Sequence, residues 1–258
     1  MYWQHIWIAF QTIYLKEVRR FLRIWPQTLL PPAITMVLYF VIFGSIIGSR
    51  VGEMGGFAYM EYVVPGLVMM SVITNAYSNV SSSFFSNKFQ KSVEEMLVAP
   101  IPNWVILAGF VAGGVTRGLA VGLIVTLLSL GFANLQVVDI GVTVIAVLLT
   151  AIVFSLGGFI NAIYAEKFDD ISIIPTFVLT PLTYLGGVFY SVEVLPEFWR
   201  HLSHANPILY MVNAFRYGIL GYADGINILF SIGMLVFFSL LLTMYSLRLL
   251  SKGKGLLH

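Results

Sequence analysis

Long apolar runs separated by short polar breaks set the plan of this chain. Runs able to cross about 30 Å of hydrocarbon recur near residues 27–49, 57–86, 104–134, 139–165, 171–190 and 226–250. They predict six membrane-spanning helices and an all-α integral membrane fold, a single domain over residues 1–258. Ahead of the first run the pattern changes. Trp3, Ile6, Trp7, Phe10, Tyr14 and Phe21 fall near one helical face, and Lys16, Arg19, Arg20 and Arg23 cluster on the other. Residues 1–25 therefore read as an amphipathic helix lying in the membrane interface, either as a plain anchor or as a functional contact. A cleaved signal peptide is not expected, because the basic cluster lies deep in the segment and no small-residue cleavage pattern follows a short apolar core.

The most charged interval between two runs is residues 87–103. Ser92 followed by Glu95 spells a capping box, so a helix is predicted from near Val93. Pro100 and Pro102 cannot continue it, which limits it to about two turns. Two readings fit this short, stiff element: a solvated loop, or a docking element for a second protein.

Polar residues also occur inside the runs. In the second, Ser71, Thr74, Asn75, Ser78, Asn79 and Ser82 follow three-and-four spacing on one helical face. Such groups must face protein or a hydrated path. In the fifth, Ser172, Thr176, Thr180, Thr183 and Gly187 repeat the idea, and Pro175 and Pro181 loosen the hydrogen-bond ladder. Ser71, Asn75, Asn79, Thr176, Thr180 and Thr183 are the pathway candidates, with bonding between helices as the other reading of the second-span stripe. The third run carries Gly109, Gly113, Gly114, Gly118 and Gly122, a spacing that lets helix backbones approach closely. It also carries Arg117, a charge that costs about 3 kcal/mol at mid-bilayer if unpaired. Counting hydrocarbon back from Asn134 puts Arg117 about one turn inside the boundary, where it can snorkel, pair, or act in transport.

Two further segments separate runs. Glu166, Lys167, Asp169 and Asp170 form a short charged loop, and either aspartate suits the N-cap of the fifth span. Residues 191–225 interleave Phe198, Trp199, Tyr210, Phe215, Tyr217 and Tyr222 with Arg200 and Arg216, and Asn206-Pro207 breaks them into two short helices. Stretches of that length cannot span, so a re-entrant or interfacial hairpin is expected. His201 and His204 lack an evident third ligand, so no metal site is expected.

Composition agrees, at 59% apolar and 10% charged residues, which is that of a polytopic membrane protein. The absence of cysteine excludes a disulfide framework and a thiolate metal site. A net charge of +2 gives no reason to expect nucleic acid. Lys16, Arg19, Arg20, Arg23, Lys88, Lys91, Lys167, Arg248, Lys252 and Lys254 fall on one side of the predicted spans, against Arg50, Arg200 and Arg216 on the other. That bias puts both termini and the 87–103 loop in the cytosol. No GxxxxGK[ST] phosphate loop is present, since Gly253-Lys254-Gly255 lacks the hydroxyl and the preceding strand, and no HExxH motif occurs. No set of intramembrane carboxylates marks a proton relay. The chain is expected to carry no catalytic residues and no cofactor, and any transport must draw energy from elsewhere.

The order of parts resembles that of the ABC-2 type permeases, the membrane subunits of ABC exporters, over nearly the whole chain. The segment Glu94-Glu95-Met96-Leu97-Val98-Ala99-Pro100 looks like the family's cytosolic coupling helix. Pro181-Leu182-Thr183-Tyr184-Leu185-Gly186-Gly187-Val188-Phe189-Tyr190, followed by Leu195-Pro196 and Trp199, looks like the end of its fifth span. Asn206-Pro207-Ile208-Leu209-Tyr210 through Phe215-Arg216-Tyr217-Gly218 is similar to its outer re-entrant hairpin. The resemblance implies a homodimeric permease in the bacterial inner membrane, two copies of a separate ATP-binding subunit that holds ATP and Mg, and outward movement of an amphipathic substrate. It also implies ATPase contacts at Glu94, Glu95, Leu97 and Pro100, braced by the helix bearing Lys16, Arg19, Arg20 and Arg23. The rivals are an ion-gradient secondary transporter and a membrane enzyme acting on lipid, for which Asp169-Asp170 is the visible acidic pair.

Overall fold

A computed structural model describes residues 2–253. Lys254 and Gly255, used above in the charge bias and the phosphate-loop test, lie outside the described residues. Helix α1 (Tyr2–Arg23) leads directly into α2 (Trp25–Val51). A small antiparallel hairpin follows, β1 (Glu53–Met54) on β2 (Phe57–Ala58), with Glu53 opposite Ala58. The chain continues through α3 (Tyr59–Phe89), α4 (Ser92–Val98), α5 (Asn103–Ser129), α6 (Ile140–Tyr164) and α7 (Asp170–Leu185). A single 3₁₀ turn at Val192–Val194 precedes α8 (Glu197–His204), α9 (Pro207–Leu220) and α10 (Ile228–Lys252).

Among the described residues five helices are long and apolar enough to cross a membrane: α2, α3, α5, α6 and α10. The fifth predicted span is shorter than expected. Helix α7 rises only about 24 Å at 1.5 Å per residue, because Gly186 ends it and Gly187 turns the chain at φ +69°. Residues 186–190 therefore form a turn and not a last helical turn.

The least apolar of the spans sits at the centre. Helix α3 is buried along nearly its whole length by α5, α6 and α9, which gives its amides and hydroxyls protein partners where lipid offers none. The glycines of α5 make this possible on two faces. A Cβ at Gly118 would stand 2.9 Å from the Cβ of Ala76 on α3, and one at Gly113 would stand 2.5 Å from the Cβ of Glu17 on α1. One face of α5 thus takes α3 and the other takes α1, as the close-packing reading of the glycines requires. By contrast α2 leaves Ile34, Leu38, Val41, Ile42 and Ile46 exposed along one side, and α7 leaves Phe177 exposed.

Three local expectations need correction. The capping box at Ser92 and Glu95 does not form: the chain leaves α3 and reverses within Gln90 and Lys91, Lys91 adopting φ 60°. Ser92 is then already helical, one position too deep for its hydroxyl to cap. Neither Asp169 nor Asp170 caps α7; the Asp170 carboxylate accepts instead from the backbone N–H groups of Glu166 and Lys167, both at 2.9 Å, closing the preceding loop. Those two donors hold its carboxyl below the usual aspartate range. Helix α1 buries only part of the face its aromatic pattern suggests, Ile6 and Phe21, together with Ile13 and Glu17, while Trp3 and Trp7 stay exposed. As expected of a loosened ladder, a π-helical stretch runs over Pro175–Leu179, and another lies at Ile42–Ile47 in α2. The Thr180 hydroxyl donates to the Pro175 carbonyl at 2.9 Å, re-satisfying part of the loosened ladder.

Candidate functional site

Where α1 crosses α3 and α5, side chains four apart on α3 each meet a charged residue. The Asn75 amide oxygen accepts from Arg117 Nη2 of α5 at 3.1 Å. The Asn79 side-chain and backbone oxygens accept from Arg20 Nη2 at 2.9 and 3.0 Å. Ser83 donates to Glu17 Oε1 at 2.6 Å, and Asn87 accepts from Lys16. Spacing of four keeps these positions on one face of the helix. Glu17, with no exposed surface, also lies 3.4 Å from Arg20. Asn79 is ten residues, or about 15 Å, from the end of α3, so α1 runs obliquely along the bundle.

This ladder divides the basic cluster read from the sequence. Lys16 and Arg20 turn toward α3, whereas Arg19 and Arg23 remain exposed. Asn75 and Asn79 are tied into the ladder, and Ser71 donates to the Val68 carbonyl at 2.7 Å. Glu17 was invisible as a functional residue because a lone acid on a basic helix reads as a solvated group. Its one signal was its place on the stripe of Ile6, Ile13 and Phe21.

Helix α4 stands beside the ladder. Val93 is buried and anchors it, with Met96 and Leu97 partly covered by the same apolar cluster of α3, α5 and α6. Glu94 is half-buried, while Glu95, Val98 and Pro100 face outward, Val98 being 85% exposed. Val98 was missed by the sequence reading, since an apolar residue in a membrane protein carries no special mark. A groove of about 460 Å³ separates α4 from α1 and is lined by Ile13, Lys16, Ser92, Glu95 and Met96 among others. Lys88, at the end of α3, donates to the Ile163 and Ala165 carbonyls at 2.6 and 2.8 Å, so α4 hangs from a fastened helix end.

The threonines of α7 come together. Thr176, Thr180 and Thr183 line a cavity of about 190 Å³ with Pro175, Leu179 and, from α3, Met70 and Thr74. The Thr183 hydroxyl donates to the Leu179 carbonyl at 2.7 Å. Asn75 and Asn79 do not line this cavity; Thr74, on the same helix, does.

At the other end of the bundle, buried Asp224 accepts from the Val192 N–H at 3.0 Å, from the Tyr62 and Tyr222 hydroxyls at 3.2 and 3.3 Å, and from Ser191. Arg216, fully buried, donates to the Gly187 carbonyl at 2.6 Å and lies 4.0 Å over the Tyr62 ring. These bonds fasten α9 and its following turn to α3. Asn206 accepts from the Ile208 N–H at 3.0 Å, so the break before α9 falls at the expected Asn-Pro. On α8, His201 lies 3.8 Å from exposed Glu197.

The ABC-2 type transporter family matches residues 8–220. The chain is 56% identical to the inner membrane transport permease YadH of Escherichia coli K12 over 97% of both chains, and equally so to that of Shigella flexneri. Nodulation protein J of Rhizobium leguminosarum bv. viciae is 24% identical over 84% of this chain and 83% of its own. With the family match spanning α1 through α9 and a permease relative covering nearly every residue, this multi-pass chain belongs to the ABC-2 type transporter family of transport permeases.

Proposed function

We propose that this chain is the membrane subunit of an ATP-driven exporter in the bacterial inner membrane, moving an amphipathic substrate outward, with both termini and α4 on the cytosolic side. Two copies form a homodimer, and each carries one ATP-binding subunit that supplies ATP and Mg. The observation that carries this reading is α4: a two-turn knob, anchored by Val93 and displaying Glu95, Val98 and Pro100, that joins the ends of α3 and α5. A rigid element there would pass a push from a bound ATPase into the two helices that flank the polar ladder. Glu95, Val98 and Pro100 are the contact residues, with Glu94 and Leu97 setting the seat beneath them. The uncovered apolar side of α2 and exposed Phe177 of α7 are the surfaces proposed for the second copy. Thr176, Thr180 and Thr183 are the pathway residues.

The test is co-purification with the ATP-binding subunit and substrate-stimulated ATP hydrolysis in lipid. Glu95→Ala with Val98→Ala should abolish association or uncouple hydrolysis while leaving the chain folded. An unchanged complex would defeat the docking role of α4. Transport that persists without ATP would instead favour an ion-gradient carrier, for which Glu17 offers a buried carboxylate beside the ladder.

A further inference from the structure

Five cations and one acid meet where α1 crosses α3 and α5. Lys16, Arg19, Arg20, Leu22 and Arg23 line an open pocket of about 810 Å³, and among the described residues no acidic side chain lines it. Glu17, the acid on this helix, is turned away from the pocket and fully buried on Ser83. Arg117 stands behind, held by Asn75 one turn along α3 from Asn79, which holds Arg20. Cations concentrated this way beside an apolar surface attract a counter-charge.

Hydrogen bonding is deficient on one of the arginines that line the pocket. Arg20 Nε, Arg117 Nε and Asn79 Nδ2 are buried and have no partner among the described residues. All three are donors; Arg20 lines the pocket, whereas Arg117 and Asn79 lie outside its lining. A ligand that supplies negative charge and acceptor oxygens would offset the cations and give Arg20 Nε a partner. Guanidinium forks match the oxygen pairs of a phosphoryl group better than a single carboxylate could use three of them. The rim is apolar, with Leu22, Ile24 and Trp25 exposed beside the basic floor, which suits an acyl chain and an interfacial tryptophan.

The geometry points to a phosphoryl headgroup site, in which Arg19, Arg20 and Arg23 grip the phosphate of an anionic phospholipid and Leu22, Ile24 and Trp25 receive its chains. A zwitterionic lipid is disfavoured, because its ammonium group would sit among the cations. The inference rests on the orientation proposed above only for the choice of the cytosolic leaflet.

The experiment measures binding of fluorescent phosphatidylglycerol and phosphatidylcholine to the purified full chain in detergent. Three proteins are compared: the native chain, Arg19→Gln with Arg23→Gln, and Arg248→Gln with Lys252→Gln. Arg19 and Arg23 are exposed and make no hydrogen bond among the described residues, so their replacement should leave the fold intact. Native protein should bind phosphatidylglycerol saturably and phosphatidylcholine far more weakly. The first double variant should lose about 25-fold in affinity, roughly fivefold per arginine; the second, with the same charge change on α10, should lose about twofold or less. Phosphatidylglycerol that stays bound in excess inorganic phosphate upholds the lipid as occupant. Displacement by phosphate, itself lost in the Arg19 and Arg23 variant, upholds the phosphoryl site and removes the lipid from it. Equal losses in both double variants, or equal binding of the two lipids, overturn the proposal. No ATP-binding subunit is present in this assay, so its failure leaves the role of α4 standing, and the reverse.

Discussion

Replacing Glu17 with alanine is expected to destabilise the bundle by loosening α1 from α3. Its carboxylate accepts from Ser83 at 2.6 Å and lies 3.4 Å from Arg20, whose side chain is 28% exposed. A hydrogen bond to a buried charge contributes about 1.5–3 kcal/mol. The partly hydrated Arg20 pair adds roughly 0.5 kcal/mol, well below a buried pair, because solvent screens it. Lost packing of the side-chain stem on Gly113 brings the sum to about 3 kcal/mol. For a chain of this size that is a fall in Tm of roughly 6–12 °C. Thermal unfolding of the detergent-purified protein measures it. Glu17→Gln keeps the stem and should lose less than half as much. Combining Glu17→Ala with Arg20→Ala should cost clearly less than the two losses added, since the second change removes the cation that the first leaves without its acid. Additive losses, or a Tm within a degree of native for Glu17→Ala, would show that the carboxylate does not hold α1 in place.

Three other outcomes follow from the same geometry. Gly113→Ala puts a Cβ 2.5 Å from that of Glu17 and should cost about 1–3 kcal/mol as α1 is pushed from α5, seen as a lower Tm and faster proteolysis within α1. Asp224→Ala removes the acceptor shared by Tyr62, Ser191, Val192 and Tyr222; a loss of about 3–5 kcal/mol is expected, with cleavage between α7 and α9 under limited proteolysis as its sign. The Asp170 carboxyl is held below its usual range by the Glu166 and Lys167 amides, so its contribution is complete above the unfolded aspartate pKa. It should be lost as pH falls through the depressed folded value, and Asp170→Asn should speed hydrogen exchange of those two amides at neutral pH.

Much of the plan was legible in the order of residues. Apolar runs located α2, α3, α5, α6 and α10, because a span needs length and hydrophobicity and both are local. Pro100 and Pro102 ended α4, Asn206-Pro207 started α9, and the glycines of α5 marked its packing faces, since backbone chemistry acts at the residue that carries it. Tertiary structure decided what those local rules leave open. Ser92 could have capped α4, but the reversal at Lys91 left no room for it. Asp170 had two sets of donors in reach, and the loop behind it won. The polar stripe of α3 was visible, but its partners lie on α1 and α5, distant in sequence, so only the packed bundle could pair Asn79 with Arg20 and Asn75 with Arg117. A residue's type fixes what it can bond to; the arrangement of helices fixes which partner arrives and whether water or lipid arrives first.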